Sequence, residues 1–144
     1  MSTINIYSVI RSILDSIEPG NFSDETIEKL GVLFSEQLLL AALDLIDRDC
    51  VIKYILPWGS SHFGVLGLTG PYSVFPNLHH SCPIPFFCTC PAFSYAVLIS
   101  QSQLTCKHVL ATLIAERLSK CVVRNTDSDE FISLVSQQNL QVNT

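Results

Sequence analysis

Apolar residues near the start of the chain recur every three or four positions. Ile4, Tyr7, Ile10, Ile13, Leu14 and Ile17 form one stripe, which Pro19-Gly20 ends. That spacing predicts an amphipathic helix. Ser23 or Asp24 is placed to cap a second helix, with Asp24, Glu25 and Glu28 near its positive end. Ile27, Leu30, Phe34 and Leu38 lie on one side of it, and it runs on into "LLLAALDLI", which is apolar almost all round. A helix without a wet face is enclosed on several sides or meets another protein, and the pattern leaves both open.

From Cys50 the period changes. "CVIKYILP", "HFGVLGL" and "YSVFPN" are short runs of β-branched and aromatic residues, parted by "WGSS" and "TGP". They predict antiparallel strands with tight turns. "PIPFFCTC" reads as a further strand whose prolines suit an edge. Pro91 fits the first position of a short helix through "AFSYAVLI", and a polar linker, "SQSQ", follows. Cys106 opens another helix with Val109, Leu110, Leu113, Ile114 and Leu118 on its apolar face. "DEFISLVSQQNL" predicts a weak C-terminal helix, with a frayed tail after it. The expected fold class is α+β: a helical N-terminal segment at 1–49, a β-rich domain at 50–122 that holds the cysteine pairs, and a C-terminal helix and tail at 123–144.

Composition sharpens this. The chain has 144 residues, 48% apolar and 15% charged, with a net charge of −5. Such a chain can build a core and leave apolar surface for a partner. Nine acids and three bases fall before Cys50, whereas 50–110 holds no acid and only Lys53 and Lys107. Two lysines do not make the basic stripe of a protein that grips phosphate backbones alone. The start lacks a basic region ahead of its apolar stretch, and the longest apolar run, Leu38 to Leu43, is far short of the ~20 residues a membrane span needs. The expectation is a soluble, intracellular protein, where six cysteines are metal ligands or buried thiols rather than disulfides.

The chemistry concentrates in "FFCTCPAFSYAVLISQSQLTCKHVLA", residues 86–111. Cys88 and Cys90 stand two apart near a strand end; Cys106 and His108 stand two apart at a helix start. Structural zinc takes four such sulfur and nitrogen ligands in a tetrahedron. With one residue between partners, Thr89 and Lys107 have to turn away from the ion. The helix N-terminus at Cys106 and the Lys107 cation both favour thiolate. The competing readings are thiols that merely pack and a catalytic zinc. Catalytic zinc keeps an open position and works beside a general base, and no acid lies within 50–110. Cys82, His79 and His80 are spare ligand candidates in a proline-bounded loop. Cys50 and Cys121 read as core or surface thiols, His62 as a strand-surface residue, and Trp58 as a turn anchor. Neither a phosphate-binding glycine loop nor a Gly-x-Ser-x-Gly elbow occurs.

Cys-x-Cys, a gap, then Cys-x-His resembles the SWIM-type zinc finger, here "CTCPAFSYAVLISQSQLTCKH" with the family's alanine at Ala111. "ALDLIDR", "CTCPAF" and "LTCKHVLA" extend the similarity to the small SWIM-containing subunits of the Shu complex. The stretch "NLHHSCPIPFF" departs from the family and alters the loop before the first ligand pair. The resemblance implies one structural Zn²⁺ on Cys88, Cys90, Cys106 and His108, with Ala111 as a packing residue. It implies a nuclear, non-enzymatic regulator of homologous recombination and DNA repair. Such a subunit pairs with RecA-like recombinase paralogues and supports recombinase filaments on single-stranded DNA, which it meets through the complex. Two alternatives are a zinc finger that reads DNA directly and a ubiquitin-ligase adaptor.

Overall fold

The computed structural model describes residues 5–67, 70–78 and 82–142. Helix α1 (Ile6–Asp15) is capped by Asn5, whose side chain accepts from the Tyr7 N–H. It buries Ile10 and Leu14, and Ile17 beyond its end, so the predicted stripe is the inward face. Ser23 caps α2 (Asp24–Leu33) by accepting from the Thr26 N–H, with Asp24 and Glu25 in the first turn.

The single long helix expected next is two helices. Phe34 is extended (φ −124°, ψ 147°), which drives its ring into the core. Ser35 then caps α3 (Glu36–Asp47), its Oγ accepting from the Leu38 N–H. The all-apolar stretch is also wetter than its composition suggests. Leu39, Ala42, Leu45 and Ile46 are buried, but Leu40 is 57% exposed.

Strands β1 (Val51–Ile55), β2 (Ser61–Gly67), β3 (Gly70–Phe75) and β4 (Phe87–Cys88) form an antiparallel series, with the two-residue, proline-preceded β4 at one edge. The other edge was not expected. β5 (Val122–Asn125) pairs parallel to β1, so the sheet is mixed, in the order β4-β3-β2-β1-β5. It straddles the boundary expected after residue 122. A parallel edge strand with one half-buried residue and three exposed ones has no alternating burial to announce it.

Between β4 and the next α-helix lies a π-helix, Phe93–Ile99. Helix α4 (Lys107–Leu118) follows and is the centre of the fold, with every residue from His108 to Ala115 buried, and Leu118 too. It packs against α1, α3 and strands β1–β4. Arg117 fastens it to α1, its Nη2 donating to the backbone oxygens of Asp15 and Ile17 at 2.6 and 3.0 Å. Residues Val51, Phe63, Val65 and Val74 meet it from the sheet.

Helix α5 (Ser128–Val142) covers the opposite face. Its Phe131 ring meets His62 and Trp58 edge-on, at 5.3 and 5.9 Å between centroids. The α+β class holds, arranged as helices, sheet and one covering helix. The frayed tail expected after α5 lies outside the described residues. No described helix is long and apolar enough to cross a membrane.

Candidate metal centre

The site forms where three elements meet. Cys88 ends β4, so its Val74 partner on β3 fixes its position. Thr89 is pinned to the sheet from both sides: its N–H donates to Ser73 O at 3.1 Å, and its Oγ1 accepts from Ser73 N–H at 3.0 Å. That double tie turns Thr89 away and lets Cys88 and Cys90 face the same space. The Phe93 N–H donates to Cys90 Sγ at 3.3 Å, so the start of the π-helix holds the second sulfur. The second pair comes from α4. Cys106 occupies its N-cap without a side-chain capping bond, and Lys107 points outward and is exposed. The Thr112 hydroxyl donates to the His108 carbonyl at 2.8 Å, satisfying a hydroxyl in the most enclosed part of the helix.

The ligand atoms of Cys88, Cys90, Cys106 and His108 all lie within 4.8 Å of one another, and all four residues are buried. Burial pushes the Cys106 thiol up to about 12. Cys88 is also raised, first by its hydrogen bond with Cys106, whereas Cys90 is lowered, first by its bond with Cys106 and then by that with Cys88. Three crowded thiols cannot all ionise without a cation among them. His108 Nδ1 is buried with no hydrogen-bond partner. An orphaned imidazole nitrogen beside three soft sulfurs fits a zinc ion, which would meet all four polar demands at once. With Zn²⁺ and three thiolates the cluster would carry a formal charge of −1. The four residues can hold one zinc ion.

Residues 87–116 match the SWIM zinc finger family. Among whole proteins, the chain is 27% identical over 136 residues to "Zinc finger SWIM domain-containing protein 7 homolog" of Dictyostelium discoideum, covering 93% of this chain and 82% of that protein. It is 34% identical over 100 residues to "Zinc finger SWIM domain-containing protein 7" of Danio rerio, covering 69% and 66%. With the Mus musculus protein of the same name it shares 30% over 126 residues, covering 87% and 78%. The chain belongs to the zinc finger SWIM domain-containing protein 7 family. No solved structure matches it.

The family's finger thus contains all four expected ligand positions, and Ala111, fully buried one turn beyond His108, packs as the SWIM pattern implies. The other candidates fall elsewhere. Cys82 is exposed, Cys50 and Cys121 are half-buried, and all six thiols are free. His79 and His80 lie outside the described residues. Lys53 is bound to Glu116 at 3.1 Å. Trp58 is 60% exposed and leans on Phe131. His62 is not a strand-surface residue: it is 7% exposed, sits 3.1 Å from the Ser73 hydroxyl, and lies under α5. The sequence pattern hid this because the helix that covers it is remote in the chain. Tyr72, whose ring lies 4.9 Å from that of His108, was missed as a wall of the metal site. Nothing in "YSVF" signals that position.

Proposed function

We propose that the chain is a non-enzymatic subunit of a Shu-type complex that promotes homologous recombination and DNA repair. In this reading it acts in the nucleus. It pairs with RecA-like recombinase paralogues and supports recombinase filaments on single-stranded DNA, which it meets through the complex. The observation that carries the reading is the buried four-ligand cluster in a finger of this family. Four protein ligands fill a tetrahedral zinc, and neither aspartate nor glutamate occurs within 50–110 to serve as a base. A zinc held this way is a clip for a shape that another chain recognises. Exposed Val32, Leu40, Tyr95, Leu98 and Ile99 are apolar surface available to such a chain.

Direct DNA reading has less support. Lys53 is engaged by Glu116, and Trp58 leans on Phe131. Co-expression with a RecA-like paralogue tests the proposal. A stable heteromer should form, and Cys88→Ser or His108→Ala should abolish it. Normal assembly by the ligand variants would overturn the reading. A salt titration of single-stranded DNA binding by the chain alone addresses the alternative, since phosphate contacts give a steep slope.

A further inference from the structure

Strand β3 serves both halves of the metal centre. Its Val74 pairs with Cys88. Two residues earlier, on the same face, Tyr72 lays its ring against that of His108, 4.9 Å between centroids and 43° between planes. The four ligands are not held alike. Cys88 is fixed by the β3–β4 ladder, Cys90 accepts from the Phe93 N–H, and Cys106 stands at the N-cap of α4. His108 reaches the cluster on a longer side chain whose second torsion is broad, so the helix backbone alone lets the ring turn. Its Nδ1 is buried without a hydrogen-bond partner, so no hydrogen bond at that nitrogen sets the angle of the ring. There is also room to turn, because a cavity of about 370 Å³ borders Leu66, Gly67, Tyr72 and His108.

The place of Tyr72 depends in turn on a missing side chain. Tyr72 pairs with Val65 on β2, and Gly67 is its diagonal neighbour on the same face. A Cβ at Gly67 would lie 2.4 Å from Tyr72 Cε2 and 3.1 Å from Cδ2. Carbons pack at about 3.5–4.0 Å, so the ring fills the space that a larger residue at 67 would need. Glycine inside a strand often marks such a close approach.

We infer that Tyr72 is a positioning residue for the zinc site: its ring, seated over Gly67, sets the angle at which His108 offers Nδ1 to the ion. The matched finger, residues 87–116, holds the ligands, and this brace lies outside it on β2 and β3. Without the brace the imidazole turns toward the cavity and leaves three thiolates to hold the ion. The inference concerns the metal centre alone and stands or falls apart from the recombination role.

The full chain is loaded with Co²⁺, whose visible absorption reports its ligands and their geometry, and zinc affinity is measured against a chromogenic chelator. Tyr72→Leu should weaken zinc by about tenfold or more, the usual effect of removing a group that orients a metal ligand. It should also change the Co²⁺ spectrum of the fully loaded protein. Tyr72→Phe should restore both, since the contact is ring against ring. Gly67→Ala should act in the same direction by displacing the ring. In the Tyr72→Leu background it should change little, because the methyl then has room. Ile114→Ala, fully buried in α4 but remote from the ligands in sequence, is the control. Its lost stability lowers zinc affinity through linkage and leaves the spectrum of the loaded protein unchanged. If Tyr72→Leu behaves as Ile114→Ala does, the tyrosine only packs and the proposal is overturned. It is overturned as well if Tyr72→Phe does not restore the spectrum, or if Gly67→Ala acts equally with and without the ring. Should Tyr72→Leu fold too poorly to load, Gly67→Ala decides, and an unchanged spectrum there overturns the proposal.

Discussion

On one side of the sheet, Val51, Phe63, Val65 and Val74 meet α4, which is buried without interruption from His108 to Ala115. On the other side, Ile52, His62 and Ser73 lie beneath α5, whose Phe131 and Leu134 are only half-buried. The first face is closed by a core, by Arg117 reaching back to α1, and by four side chains arranged for a metal. The second is closed by ring edges around a histidine. Apolar burial and bound metal each stabilise the folded state far more than a few exposed aromatic contacts do. The two faces should therefore open at different free energies, with the chemistry-bearing face as the slow, cooperative unit and α5 as the easily opened one.

The sharpest way to break that contrast is to remove the zinc. Structural zinc contributes on the order of 10–16 kcal/mol in finger peptides, against a net stability of roughly 5–15 kcal/mol for a domain. Chelation, or Cys90→Ser, should abolish cooperative melting by circular dichroism. It should also expose the α4 amides to hydrogen exchange. If the metal-free chain still melts cooperatively with α4 protected, the metal is not what holds that face.

A cavity in the α4 face comes next in size. Leu110 and Ile114 are fully buried, so Leu110→Ala or Ile114→Ala should cost about 2–5 kcal/mol in denaturant unfolding of the zinc-loaded protein. Phe131→Ala removes a larger side chain from a half-buried position, yet it should cost only about 1–2 kcal/mol. Exchange should distinguish the two faces as well. Phe131→Ala should release the α5 amides and leave those of α4 protected. Equal release on both faces would mean that the molecule opens as one unit.

Those substitutions also mark what could be read from residues alone. The ligand set was legible because four metal-binding side chains in two tight pairs constrain one another, and they do converge within 4.8 Å. The inward face of α1 was legible because period and burial coincide at Ile10, Leu14 and Ile17. The central helix was not. Composition pointed to "LLLAALDLI", yet Leu40 there faces solvent, while the interior of α4 encloses a threonine whose hydroxyl is satisfied by the His108 carbonyl. A hydropathy pattern cannot show that a polar group has a local partner. The break at Phe34-Ser35 was hidden for a related reason: the helix periodicity continues across it, and only the Ser35 hydroxyl on the Leu38 N–H reveals the new start. β5 and the burial of His62 depend on segments far apart in sequence, which no local period encodes.

The smallest test lies at the rim of the α4 face, where Cys121 sits 3.8 Å from Glu116 Oε2 while Lys53 holds the other oxygen at 3.1 Å. Burial first, and then the Glu116 charge, push this thiol from the ordinary 9.0 up to about 12. A neutral thiol favoured by the fold contributes its full stability below the unfolded value. It loses that contribution as pH rises through the folded one. The zinc-loaded protein should thus weaken between 9.0 and about 12, and Cys121→Ala should flatten part of that decline in denaturant titrations. The ligand thiols do not confuse the measurement, since zinc already holds them as thiolates. Iodoacetamide offers a second readout at neutral pH, because only the thiolate reacts. Exposed Cys82 should be alkylated well before half-buried Cys121. If Cys121 reacts first, Glu116 is not facing the thiol in solution, and the rim is looser than the core it borders.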